Sequence, residues 1–513
     1  MKLTGNKRIA TNTLALYLKM VYSIIVALFT TRIVLSALGV EDYGIYTLVA
    51  GVISLLTFLN VSMAIATQRF MSIAMGQKNI DKLKDVFQTS ITLHLWIGVI
   101  VVVSLEIFGF FLFDGILNIA EDRIYSAKII YQFMIFSTFF TINAVPYDAA
   151  INANEDMWVD SIIGFVETTL KLLIAFYLLS TSFDKLIVYS LLTTVVLILS
   201  RIVKSVYCKR KYEECKNAIH SLKSGNKIVM KEMAGFAGWN TLGALVFVGR
   251  NQLIAIVLNV FYGTVINAAY GVANQVNAQI SSFAMTLLKA INPQITKSEG
   301  EGNRVRMLQM ADYSTKFSFF IFSLLLVPLF LEMDFILGLW LKVVPEHTVI
   351  FCQLILVASL IKQLSNGVML SVQSVGKLKV YTLVINSIYL LNILLAVLLL
   401  NFDFEPYYVI ISMIAIEFIA LLARSIIASR IISDFNFKVF FINIICKQLI
   451  VFSLVLLLAY LPSLKLSESL FRLVSTSLIS TSSLFVLFYF IILNKIERNK
   501  IENLLKSKIL KIK

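Results

Sequence analysis

Charge is scarce in this 513-residue chain. Asp, Glu, Lys and Arg together make up 15% of it, against 58% hydrophobic residues and a mean hydropathy of +0.85. That balance excludes a soluble globular protein, whose water-facing surface needs more charge. The apolar residues fall in repeated runs of about 20, the length that crosses a bilayer as a helix. With the bilayer as solvent, every backbone group must be paired internally, so helices are expected. The alternating segments of about 10 residues that make a membrane β-barrel are absent. Cysteine is rare too: Cys208, Cys215, Cys352 and Cys446 are the whole complement. No pair has metal-ligand spacing, which argues against both a disulfide framework and a zinc site, and no metal is expected. No Gly-rich phosphate loop with Lys and Ser/Thr is present, and no catalytic constellation. The expectation is therefore a non-enzyme without a cofactor. The first apolar run is followed by no small-residue cleavage site, so no cleavable signal peptide is expected.

What is there is a series of fourteen apolar runs, near 12–36, 43–63, 89–112, 128–149, 159–179, 186–206, 235–258, 267–288, 317–335, 349–372, 381–400, 407–428, 443–461 and 472–493. The net charge of +15 is concentrated in the linkers, which makes it a membrane-topology signal rather than a nucleic-acid one. If the N-terminus is cytoplasmic, the seven outside loops hold only Arg123, Lys185, Lys342 and Lys465. The other linkers and both ends carry the basic excess. This predicts an all-α polytopic membrane protein of about 14 transmembrane helices with both termini in the cytoplasm. The longest linker, 207–234, contains "CKRKYEECK" and reads as a solvated cytoplasmic loop. The tail "NKIERNKIENLLKSKILKIK" is basic and mildly amphipathic, suited to the anionic inner leaflet.

An internal repeat is also visible. "MGQKNIDKLKDVFQTS" can be laid on "EGEGNRVRMLQMADYS", so that Gly76, Asn79 and Ser90 match Gly300, Asn303 and Ser314. Gly39 matches Gly263 at the same offset, and Asn12 has a counterpart in Asn240. The expected organisation is a six-helix lobe with its linker at 1–232, a second six-helix lobe at 233–428, and two further helices with the basic tail at 429–513.

"NTLALYLKMVYSIIVALFTTRIVLSALGVEDYGIYTLVAGV" resembles the start of bacterial polysaccharide-transport proteins, with Arg32 to Tyr46 the most recognisable part. The resemblance is to the Wzx-type O-antigen and capsule repeat-unit flippases, within the multidrug/oligosaccharidyl-lipid/polysaccharide exporter superfamily. It implies a MATE-like fold in the bacterial inner membrane, with two six-helix bundles around a central cavity plus two C-terminal helices. It also implies alternating access and an undecaprenyl-diphosphate-linked oligosaccharide as cargo. A proton or sodium ion for coupling and polysaccharide polymerase or assembly partners are further implications.

Within that frame, Arg250 is the foremost candidate. It sits mid-run in "LVFVGRNQLIAIVL", where a charge must face protein or water. Its guanidinium fork suits phosphate oxygens. It can equally lock helices in an ion pair, with Glu106 or Glu167 as partners. Arg32 and Lys19 are further diphosphate candidates; Arg32 can instead snorkel or pair with Glu41 or Asp42, and Lys19 can snorkel inward. Lys362, beside Gln363, is a weaker candidate of the same kind. The eighth run is unusually polar: Asn267, Tyr270, Asn274, Asn277 and Ser281 form one helical stripe, with Gln275 beside it. Together with Asn251, these amides suit sugar hydroxyls, or serve as helix–helix glue. Thr47, Ser54, Thr57 and Asn60 make a fainter stripe. Glu106, Asp148 and Glu417 are the candidates for ion coupling, Asp148 lying just after Pro146. Glu167 and Lys171 have the i,i+4 spacing of a local pair.

Two rival readings compete. A MATE-type multidrug antiporter moves cationic compounds and needs acids in its cavity, but the first and seventh runs carry Lys19, Arg32 and Arg250 and no acid. A multi-pass O-antigen polymerase or ligase needs a large outside loop, and the longest here is about 15 residues.

Overall fold

The computed structural model describes residues 5–54, 57–111, 113, 121–216, 226–341, 344–495, 497–499 and 502. Among them there are helices and turns and no strand. The helices are α1 (Gly5–Ser54), α2 (Thr57–Gly76), α3 (Ile80–Phe111), α4 (Ile124–Ala153), α5 (Met157–Tyr177), α6 (Lys185–Lys211), α7 (Glu213–Lys216), α8 (Lys227–Gly300) and α9 (Arg304–Leu331). They continue with α10 (Met333–Trp340), α11 (Thr348–Gln363), α12 (Asn366–Val375), α13 (Leu378–Asn401), α14 (Tyr407–Ile431), α15 (Phe437–Phe440), α16 (Lys447–Tyr460) and α17 (Leu470–Leu487).

Ten helices among the described residues are long and apolar enough to cross a membrane, or eleven if α11 and α12, bent by 45°, form one broken span. The chain is a multi-pass, all-helical membrane protein. Three of the fourteen expected runs fall short of that test. Run 159–179 lies in α5, where Asp160, Glu167 and Lys171 reduce its apolarity. Run 267–288 lies in the amide-rich second half of α8. Run 43–63 straddles α1 and α2, and residues 55 and 56 lie outside the described set. The first run and the start of the second share one helix, α1, kinked at Gly39. There φ is 81° and ψ is 170°, a conformation essentially reserved for glycine.

The chain forms two compact units: Met1–Ala244 with Asn292–Asn303, and Leu245–Ile291 with Arg304–Lys513. In the first, α1 packs on α5, and α4 on α3 and α6. Its core includes Val34, Leu38, Val49, Ile130 and Leu186. Charges inside this apolar bundle are paired. Lys204 Nζ lies 2.7 Å from Asp148 and 2.6 Å from Asp160, and Lys19 Nζ is 3.1 Å from Asp160. At the other end, Arg123 bridges Asp42 and Asp184. Burial pushes the Asp184 carboxyl up. The bonds it accepts from Ile187, Ser126 and Leu186, with Arg123 beside it, more than offset this and hold it below its ordinary range.

The repeat seen in the sequence returns in the backbone. Gln77, Lys78 and Asn79 donate to Ile73, Met75 and Ala74; Glu301, Gly302 and Asn303 donate to Lys297, Glu299 and Ser298 in the same order. The left-handed residue of each turn is Lys78 (φ 53°) or Gly302 (φ 73°). The two turns meet at their glycines. A Cβ on Gly76 would strike the Lys297 carbonyl, and one on Gly300 the backbone of Ile73. Beside them, buried Glu155 accepts Asn12 Nδ2 at its carbonyl, 2.8 Å away, and Gln294 Nε2 at its carboxylate.

The expected solvated loop at 207–234 is partly packed. α6 extends to Lys211, and Cys208, Tyr212 and Cys215 are buried. Asp156 causes this, drawing in Tyr212 Oη and Lys211 Nζ, each at 2.7 Å. Residues 217–225 lie outside the described set.

In the second unit α11 and α13 pack on α14, and α12 on α9. The last hairpin, α16 and α17, is fastened to α9. Arg472 grips fully buried Glu332 through Nε and Nη2 at 2.9 and 2.8 Å, and Thr476 adds a bond of 3.0 Å. Glu497, at the start of the basic tail, is buried against Lys316 at 2.8 Å. The tail's later residues, 503–513, lie outside the described set, and so does their expected membrane contact.

Candidate functional site

The second unit encloses a cavity of about 660 Å³ walled by α8, α11, α12 and α14. Both halves of α8 contribute. Arg250 and Asn274 line the same space, although on a straight helix they would stand about 36 Å apart. The segment therefore doubles back between Ala255 and Tyr270. That return brings the arginine and the polar stripe face to face.

Arg250 is 3% exposed. Its Nη1 lies 3.3 Å from Glu417 Oε1, and its Nε and Nη2 point at Asn251 Oδ1, 3.4 and 3.3 Å away. Its guanidinium also lies over the rings of Tyr389 and Phe247, at 4.5 and 5.3 Å. Glu417 is equally buried. It accepts the Tyr389 hydroxyl at 3.1 Å and lies 3.9 Å from Arg424. Arg424 is anchored by Ser365 Oγ at 2.7 Å and by Tyr389 Oη. Lys362 holds the cavity's other cation. Its Nζ sits 4.0 Å from the centre of the Phe247 ring and makes no ion pair among the described residues. Two cavity cations and Arg424 behind them thus share one carboxylate.

The pairing of Arg250 is loose by the standard of this same protein. Arg472 meets Glu332 through two nitrogens, whereas Arg250 meets Glu417 through one, at a longer distance. Bidentate, charge-assisted contacts are the strong ones. Arg472 is a staple; Arg250 is a cation whose fork is only partly engaged.

Tyr270, Asn274, Asn277 and Ser281 all line the cavity, as one helical face should. Asn274 donates to the Tyr270 carbonyl at 2.9 Å, and Ser281 to Asn277 Oδ1 at 3.3 Å. Asn251 lines it too, while Gln275 is exposed and does not. The side chain of Asn267 lies outside the described residues, as do those of Thr47, Ser54, Thr57 and Asn60.

Several sequence expectations need correction. The partner of Arg250 is Glu417, not Glu106 or Glu167, because the turn of α8 carries it to α14. Glu167 pairs with Lys171 at 2.8 Å and with Ser200 at 2.9 Å. Glu106 is exposed and accepts Gln132 Nε2 at 3.0 Å. Arg32 is exposed, and Asp42 pairs with Arg123 instead. Lys19 and Asp148 belong to the ionic network of the first unit, Asp148 bound by Lys204 inside an α4 that continues past Pro146. None of Arg32, Lys19, Glu106 and Asp148 lines the cavity of the second unit. Sequence reasoning underweighted Lys362. The signal was present: a lysine next to Gln363 and Asn366 in an apolar run.

The architecture is a MATE fold. A structure described as MATE in the bent conformation superposes with a TM-score of 0.72 at 14% identity, over 84% of this chain and 96% of that one. An outward-facing multidrug resistance MATE family transporter of the MOP superfamily gives 0.68 at 14%, over 83% and 97%. A MOP superfamily transporter from Pyrococcus furiosus, described as having a binding pocket of reverse polarity that suggests a different function, gives 0.68 at 14%, over 83% and 96%. By sequence, residues 14–177 match the MatE family model. No curated protein matches the sequence.

Proposed function

We propose that this protein is a membrane transporter that moves polyprenyl-diphosphate-linked oligosaccharides across the bilayer by alternating access. The observation that carries the reading is the charge of the second unit's cavity. Arg250 and Lys362 face a space whose one carboxylate is shared with Arg424. An anion is the complementary guest. Diphosphate oxygens suit the partly engaged guanidinium and the unpaired ammonium, and Asn251, Asn274, Asn277 and Ser281 suit sugar hydroxyls. The Pyrococcus furiosus neighbour supplies a parallel, since its binding pocket of reverse polarity is described as suggesting a different function. Of the three carboxylates considered for coupling, Glu417 shares the cavity with the cargo cations. Glu417 also holds Arg250, so the same carboxylate governs the cation proposed to meet the diphosphate. The inner membrane, cytoplasmic termini and assembly partners belong to the same proposal.

A second reading, multidrug antiport of organic cations, is favoured by Glu417 and by the aromatic wall of Phe247. One experiment separates them. In a deletion strain fed radiolabelled sugar precursors, sealed inverted vesicles should accumulate complete lipid-linked oligosaccharide on the cytoplasmic face, and surface glycan should disappear. Lys362→Ala and Arg250→Ala at equal expression should not restore it. Persistent surface glycan with new sensitivity to cationic drugs replaces the proposal with the antiporter.

A further inference from the structure

A second, smaller cavity of about 310 Å³ lies in the first unit, between the end of α3 and the start of α4. It contains two opposite charges, Glu106 and Lys128, that form no ion pair with each other. Glu106 accepts one hydrogen bond, from Gln132 Nε2. Lys128 Nζ stands 5.9 Å from the centre of the Phe113 ring. Both side chains are exposed.

What surrounds them is apolar. Ile107, Phe108, Phe110 and Phe111 of α3 are 57%, 59%, 72% and 59% exposed. A helix face like this is turned to lipid, and the exposed rings at its end, with Tyr125 opposite, mark the membrane–water boundary. Glu106 stands five residues before the end of α3, about 7.5 Å inward from it. A carboxylate there is costly unless a cation meets it. Gly109 shapes the floor. Any Cβ on it would collide with the ring of Tyr131, whose hydroxyl donates to the Leu105 carbonyl at 2.6 Å. The close approach of α3 and α4 thus sets the floor of a pocket whose lining includes both Glu106 and Lys128.

We infer that this pocket binds the head group of a phospholipid bearing a primary amine, with the ammonium on Glu106 and the phosphate on Lys128. A zwitterion of that kind satisfies both charges at once, and the acyl chains lie along the exposed apolar face of α3. A primary ammonium donates hydrogen bonds to Glu106, which the methylated amine of a choline lipid lacks. A glycerol head group brings only a negative charge to a site that already holds one. The inference is independent of the cargo.

The test is lipid retention by the full-length protein in nanodiscs made from equal parts phosphatidylethanolamine, phosphatidylcholine and phosphatidylglycerol, read by native mass spectrometry. The wild type should retain the ethanolamine lipid about tenfold over each of the others. Glu106→Gln should abolish the preference over the choline lipid, and Lys128→Gln should weaken retention of all three lipids about tenfold, since each carries the phosphate, and so leave their order. Both substitutions lie on exposed positions and put in a neutral polar side chain, so folding is preserved, and helical content by circular dichroism checks it. Equal retention of the three lipids by the wild type, or a wild-type preference in Glu106→Gln, overturns the inference.

Discussion

Replacing Glu417 with Gln should damage the protein more than replacing Arg250 with Met, and combining the two should repair part of the damage. Glu417 is 3% exposed and serves Arg250 at 3.3 Å, Arg424 at 3.9 Å and the Tyr389 hydroxyl at 3.1 Å. The amide keeps the shape and still accepts from Tyr389, but strands two buried cations. Breaking a buried pair costs about 3–5 kcal/mol, and stranding both arginines puts Glu417→Gln at the top of that range. Arg250→Met leaves Glu417 with Arg424 and Tyr389, so its cost is about 1.5–3 kcal/mol, the scale of one lost charged hydrogen bond. The double variant removes one of the two stranded cations and should regain about 1–3 kcal/mol relative to Glu417→Gln alone. The assay is thermal unfolding of detergent-purified protein with a thiol-reactive fluorogenic dye. Cys208, Cys215 and Cys352 are buried and become reactive as the fold opens. A double variant that unfolds at or below the midpoint of Glu417→Gln refutes the reasoning.

Four further outcomes are expected. Lys362→Gln should leave the unfolding midpoint unchanged or raised, because Arg250 and Arg424 remain as the direct partners of Glu417, while lipid-linked oligosaccharide export falls at least about tenfold. Gly300→Val should destabilise by about 1–3 kcal/mol or prevent folding, since the Ile73 backbone occupies the space; Gly235→Ala, with open space around it, should gain up to about 1 kcal/mol in the same melt. Glu332→Gln should cost about 3–5 kcal/mol and loosen α17, read as faster protease cleavage of the Leu461–Leu464 turn.

The sequence carried the fold class openly, because the length of an apolar run and the placement of lysine and arginine are consequences of the bilayer itself. The matching turns after Gly76 and Gly300 were also legible, as three spaced identities that proved to share one hydrogen-bond pattern. Ion-pair partners were not. Arg250 and Glu417 are 167 residues apart, and nothing local indicates that α8 reverses direction and presents one to the other. The stripe from Tyr270 to Ser281 was legible because helical periodicity is local. Lys362 was visible as a residue, but its lack of a direct ion pair among the described residues is a property of three-dimensional surroundings. The same holds for Asp42, whose sequence neighbours suggested Arg32 and whose actual partner is Arg123.

The separation between Arg250 and Glu417 also sets a timetable. A ribosome adding about 5–20 residues per second needs about 8–30 seconds to synthesise the 167 residues between them. For that interval α8 is in or entering the bilayer with an arginine that has no carboxylate. The nascent protein therefore carries an unpaired charge through that interval, and chains arrested before α14 should be cleared by membrane proteases faster than chains arrested just after it. Arg250→Met should abolish that difference, which makes the ion pair a checkpoint in biogenesis as well as a feature of the finished protein.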